Sequence, residues 1–149
     1  MYKTILVLLD GSKRAEAIIP HVEEMALRYA AKVILLKVEE PAILLGWDEV
    51  IDLQRYKEEY NKQRKKTESY LEAIRENISA KGIETQALTK YSSFVVKEIL
   101  STAENVNADI LAMASHGHGG ANRTFYGSVA VGVLNQIDRP LLLIRSRRG

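Results

Sequence analysis

With 149 residues, 46% of them apolar, and a formal net charge of +2, the chain has the size and composition of one soluble domain around a single core. Its 21 basic and 19 acidic residues are interspersed, except in the basic tail Arg145-Ser146-Arg147-Arg148, which excludes the concentrated positive field of a nucleic-acid-binding protein. The absence of cysteine excludes disulfides and thiol chemistry and three histidines leave few zinc ligands, while a strand opening just after Met1 and the lack of any apolar run of about 18 residues argue against a signal peptide or membrane span and for a cytoplasmic location.

Thr4 to Leu9 (TILVLL) is apolar on both faces, as a strand covered by helices on both sides must be. Asp10-Gly11-Ser12 breaks it. Ala15, Ile18, Ile19, Val22, Met25, Ala26 and Tyr29 then recur at helical spacing, with Pro20 predicting either a kink or a short turn before the main helix. Val33 to Val38 (VILLKV) reads as a second buried strand. Period is lost from Glu39 to Asp48, where Pro41, Gly46 and Trp47 predict a loop or flap. A long helix is expected from about Glu49 to Ala80, with Tyr56, Tyr60, Gln63, Thr67, Tyr70, Leu71, Ile74 and Ile78 on one stripe. Its thinly apolar first half is expected to project from the body or to cover a partner or site, and Gly82 to supply a left-handed cap.

Glu84 to Thr89 is more polar and suits a sheet edge. Ser92 and Ser93 are candidate caps for a helix whose Val96, Ile99, Leu100 and Ala103 face inward. Asp109 to Ala114 forms the fourth strand; a glycine-rich loop, an apolar helix and a fifth strand, Leu141 to Ile144, complete the chain. The alternation β-α-β-α-β-α-β-α-β predicts a doubly wound α/β domain spanning residues 1–149, with a parallel sheet and helices on both faces. Ligands of such sheets lie beyond the strand carboxyl ends, where Asp10, Val38 to Glu40 and the loop after Ala114 fall.

The stretch Ala112 to Val133 (AMASHGHGGANRTFYGSVAVGV) carries the strongest functional signal. Five of nine glycines lie between Gly117 and Gly132, in a strand–loop–helix arrangement whose backbone N–H groups and positive helix end can hold a phosphate. A solvent loop that binds nothing has the same composition, and neither a P-loop nor a G-x-G-x-x-G motif occurs in it. His116 and His118 lack acidic or histidine partners at metal spacing and His21 lies on the first helix, so no metal site is expected.

Across essentially its whole length the sequence resembles the universal stress protein family, through KTILVLLDGS, ILLKV, ADILAMASHGHGG, GSVAVGVL and RPLLLIR. The ATP-binding branch of that family carries G-x-x-G, nine residues, then G-[ST]. Here these positions are Ala114-Ser115-His116-Gly117, His118 to Tyr126, and Gly127-Ser128. Alanine at the first glycine position is a departure, tolerable unless positive φ is needed there. The resemblance implies a 3-2-1-4-5 strand order, adenine between Asp10 and the backbone of Val38 with Met113 beneath, and phosphates on the N–H groups of Gly117, Gly127, Ser128 and Val129. It also implies homodimers through the last strand. ATP or AMP is the implied cofactor, magnesium accompanying a triphosphate.

Asp10 also serves as a turn starter, Ser128 as a helix cap and Arg123 as either a polyphosphate clamp or a solvated loop residue. Three function classes follow: a nucleotide-binding stress-response module whose nucleotide state governs shape or partner choice, a nucleotide-free dimeric interaction protein, and a slow ATP hydrolase. No Walker lysine, positioned base or Ser-His-Asp pattern supports the third, and no catalytic residue is assigned.

Overall fold

A computed structural model describes residues 1–41, 53–116 and 125–146. Five parallel strands, β1 (Thr4–Leu8), β2 (Lys32–Glu39), β3 (Thr85–Tyr91), β4 (Ile110–His116) and β5 (Leu141–Ser146), form one sheet in the order β3-β2-β1-β4-β5. Central β1 pairs with β2, Leu6 opposite Ile34, and with β4, Leu6 opposite Leu111. Ile5 to Leu8, Val33 to Leu36 and Leu111 to Met113 are almost wholly buried, which is why these segments read as unbroken apolar runs. Asp109 fixes the start of β1: its Oδ2 accepts from the backbone N–H of Lys3 at 2.9 Å and of Thr4 at 2.8 Å.

Helices α1 (Lys13–Glu16) and α2 (Ile19–Tyr29) connect β1 to β2, α3 (Leu53–Ser79) connects β2 to β3, α4 (Val95–Asn105) leads to β4, and α5 (Phe125–Gln136) connects β4 to β5. Right-handed crossovers that first run outward to β3 and then return past β1 to β5 put α2 and α3 on one face and α4 and α5 on the other. Pro20 resolves as a short turn followed by a new helix, because the first turn of α2 needs no N–H from it. That helix ends on Ala30 in the left-handed conformation (φ 52°, ψ 45°), with the Ala31 N–H returned to the Ala26 carbonyl at 2.9 Å. Gly82, at φ +87°, follows α3 as expected.

The expected stripe of α3 faces inward: Thr67, Leu71 and Ile78 are buried, and Tyr56, Tyr60, Gln63, Tyr70 and Ile74 are half-buried. The described helix starts at Leu53; the expected start at Glu49 and the Gly46-Trp47 part of the loop lie outside the described residues. Strand β3 is an edge strand, as its polarity suggests, and runs on to Lys90 and Tyr91 opposite Val38 and Glu39. The serine caps of α4 are corrected. Its N-cap is Phe94, which has no capping side chain, while Ser92 Oγ accepts from the Phe94 N–H at 3.0 Å, closing a turn one step before the helix. The described part of α5 runs from Phe125, so Gly127 and Ser128 lie inside the helix rather than opening it as expected. Gly132, grouped by composition with the phosphate-loop glycines, is a packing glycine: a Cβ there would sit 2.7 Å from Val96 Cγ2, so its absence lets α5 approach α4.

Candidate functional site

The sheet reverses direction at β1, whose neighbours are reached by crossovers on opposite faces, and such a reversal opens a crevice at the strand carboxyl ends. Asp10 sits there on a turn that its own side chain builds: Oδ1 accepts from the Ser12 N–H at 2.8 Å, and Ser12 Oγ accepts from the Ala15 N–H at 3.2 Å to cap α1. Gly11 between them has φ +91°, a conformation that disfavours a side chain. On one side of this turn lies Val38, next to last in β2; on the other lie Met113 and Ala114 in the second half of β4, all three buried.

Ala114 occupies an extended strand position opposite Ile144 and is not among the positive-φ residues described. Its methyl group therefore introduces no backbone strain, which removes one objection to alanine at the first glycine position. Gly127 and Ser128 are the third and fourth described residues of α5, toward the end of the helix that follows β4. Among the described residues, no atom lies within 4 Å of a Cβ placed on Gly127, so none of them crowds this backbone. Val129, fifth in the helix, is buried and lies inside the hydrogen-bond ladder. The sequence-predicted residues Asp10, Val38, Met113, Ala114, Gly127, Ser128 and Val129 thus fall at one end of one sheet. Gly117 and Arg123 lie outside the described residues.

Beside the Asp10 turn, between β2 and α3, is a cavity of about 370 Å³ lined by Asp10, Gly11, Lys37, Glu39, Gln63, Lys66, Thr67 and Tyr70. Its wall is a hydrogen-bonded network. Glu39 pairs with Lys37, accepts from Gln63 Nε2 at 2.9 Å and accepts from Thr67 Oγ1 at 2.8 Å. Burial holds the Lys37 ammonium below the usual lysine range, Asp10 acting to raise it and Lys66 to lower it further. Tyr70 donates to Glu16 at 2.8 Å, and burial together with this bond pushes its phenol well above the usual range. Sequence reasoning passed over Lys37 and placed Glu39 only within the strand end Val38 to Glu40, without a role; the available signal was a lysine interrupting the apolar run VILLKV. A larger hollow of about 500 Å³ lies at the opposite, amino ends of the strands, near Lys3, Lys32 and Glu84. It is remote from both Asp10 and α5, and parallel sheets place ligands at the other end.

The model of the universal stress protein family matches residues 1–145. The chain belongs to the universal stress protein family. Universal stress protein MJ0577 of Methanocaldococcus jannaschii is 28% identical over 161 residues, covering 99% of this chain and 97% of the relative. The solved structure of MJ0577 superposes with a TM-score of 0.80 at 27% identity, covering 100% of this chain and 99% of that one. Two further structures share the fold at 18% identity. A universal stress protein in complex with cAMP has a TM-score of 0.71 and 98% of each chain covered. The universal stress protein of Archaeoglobus fulgidus in complex with dAMP has a TM-score of 0.64, with 97% of this chain and 98% of that one covered. Among the described residues, no helix of this family member is long and apolar enough to cross a membrane.

Proposed function

We propose that this chain is an adenine-nucleotide-binding module of the stress response, whose bound nucleotide governs its shape or its choice of protein partner in the cytoplasm. The backbone at Gly127, which no described residue crowds, near the end of the helix that follows β4 at the same sheet end as Asp10 and Val38, carries the reading. A phosphate can approach that backbone closely, and the helix end favours its negative charge. The cAMP and dAMP complexes of proteins with this fold support the adenine part. In this reading Asp10 and the Val38 backbone orient the nucleoside over Met113 and Ala114, while Gly117, Gly127 and Ser128, with Arg123, hold the phosphates. Magnesium accompanies ATP.

Denaturing the purified protein and chromatographing what it releases tests this directly, with adenine nucleotide expected in the supernatant. A protein that releases none and whose melting point does not respond to ATP, ADP or AMP, with or without magnesium, overturns the reading.

Strand β5 extends the proposal to a homodimer. It is a sheet edge whose Leu141 to Ile144 remain only half-buried, leaving an apolar edge for a second copy. Leu143→Glu should shift the protein to monomer or aggregate in sedimentation; a wild-type monomer at tens of micromolar, an order of magnitude suited to testing association, counts against dimerisation.

A further inference from the structure

We infer that the Lys37–Glu39 pair is a positioning device that ties the Asp10 turn to the docking of α3, so that nucleotide binding and the seating of that helix favour one another. The inference rests on the nucleotide reading above and adds residues which the family motif does not include.

Three observations carry it. First, the stem of Lys37 lies beside the turn: a Cβ added to Gly11 would come 3.4 Å from Lys37 Cε, and Asp10, Gly11 and Lys37 line one cavity, so the lysine borders the left-handed residue that follows Asp10. Secondly, the ammonium of Lys37 is held by Glu39, and the two side chains are only 12% and 13% exposed. An ion pair this shielded constrains both partners, because removing either leaves the other charged and poorly solvated. Thirdly, the same Glu39 carboxylate receives Gln63 and Thr67, which lie midway along α3. Turn, lysine, carboxylate and helix are therefore one contiguous hydrogen-bonded and packed chain from the proposed nucleoside contact to α3.

The rest of the first half of α3 has little else to hold it. From Leu53 to Lys66 the described side chains are exposed except Tyr56, Tyr60 and Gln63, with Tyr60 packed on Tyr91 at a ring-centroid distance of 5.1 Å. A segment with so few buried apolar contacts opens at low free-energy cost, so a change at Glu39 is readable there. A nucleotide that fixes the Asp10 turn fixes Lys37, and through Glu39 favours the seated helix. By linkage, a loosened helix must weaken the nucleotide by the same factor.

The test combines nucleotide titration by calorimetry with hydrogen exchange over residues 53–67 on the full chain, using ATP and AMP as probes. In the wild type, saturating nucleotide should slow exchange in that segment. Lys37→Met and Glu39→Gln should weaken nucleotide binding roughly five- to tenfold, the lower range of measured site couplings, and should abolish the nucleotide-induced protection. Lys37→Arg should restore most of both, and Lys62→Met, an exposed lysine on the same helix, should change neither. Glu39→Gln is nearly isosteric, so it reports even where Lys37→Met folds poorly. Wild-type protein that binds nucleotide without any change over 53–67, or a Glu39→Gln protein with wild-type affinity, overturns the inference while leaving the functional reading intact. A wild type that binds no nucleotide overturns both, and the titration registers that outcome separately.

Discussion

Two glycines five positions apart in α5 do opposite work. At Gly127, third of the described residues of α5, an added Cβ would meet no described residue within 4 Å; at Gly132, in the middle, it would lie 2.7 Å from Val96 Cγ2. The first leaves room on the outside of the helix and the second removes material so that a neighbouring helix fits. Conformational need explains neither, since neither lies at positive φ. A count of glycines in a stretch therefore merges sites for ligand approach with sites for packing, and it is the tertiary neighbour that separates them.

The largest expected effect comes from Gly127→Val. ATP at about a hundred times its Kd should stabilise the wild type by about 2.7 kcal/mol, a rise of roughly 5 to 10 °C in Tm for a chain of this size. The variant should keep its unliganded Tm, because valine is no worse than glycine in a helix and meets no described residue, but should lose the nucleotide-induced rise. A full rise in this variant would show that the backbone at Gly127 is not where phosphate binds.

Gly132→Val should do the reverse. Forcing a branched side chain into the α4 contact should lower unliganded stability by about 1 to 3 kcal/mol, the usual range for overpacking, leaving the nucleotide-induced increment as in the wild type. Denaturant melts in the presence and absence of ATP read both quantities, and an undiminished unliganded stability would mean that α4 and α5 can separate at little cost.

A smaller effect sharpens the contrast from the conformational side. Ala30 caps α2 with positive φ, where an L side chain costs about 1 to 2 kcal/mol and glycine gives back part of that through its greater unfolded entropy. Ala30→Gly should accordingly raise stability by about 0.5 to 1 kcal/mol; a loss would place the cap in another conformation in solution. Least of all should come from Ala114→Gly. With its ordinary strand backbone, Ala114 is unstrained, so restoring the glycine should preserve the nucleotide-induced shift or raise it modestly. Binding gained only in this variant would identify the methyl group as an obstruction.

Much of the architecture was legible because the central strands are buried on both faces and the helices on one, so that TILVLL and VILLKV read differently from the α3 stripe. The strand order came from family resemblance, since periodicity does not say which strand neighbours which. At the site, Asp10 was legible as turn chemistry, whereas Gly127-Ser128 read as the opening of the helix and Ser128 as its cap, although α5 already includes Phe125 and Tyr126 and Ser128 lies inside it. What stayed hidden was set by contacts between distant residues: the Lys37–Glu39 link to Gln63 and Thr67, and the pressure of Val96 on Gly132. The capping of α4 was misjudged because Ser92 spends its oxygen on the turn that precedes the helix.

The clamp of Asp109 on Lys3 and Thr4 bears on the order in which the molecule can be assembled. Of the five described strands the one made first is the middle of the sheet, and its partner on one side, β4, follows about a hundred residues later. Until Asp109 arrives, β1 with β2 and β3 forms an incomplete sheet whose open border is the apolar, fully β-competent segment Ile5 to Leu8. That border is an invitation to pair with another nascent copy. The last strands to be made are thus also the ones that close it, and a chain halted before residue 109 carries its most adhesive surface uncovered.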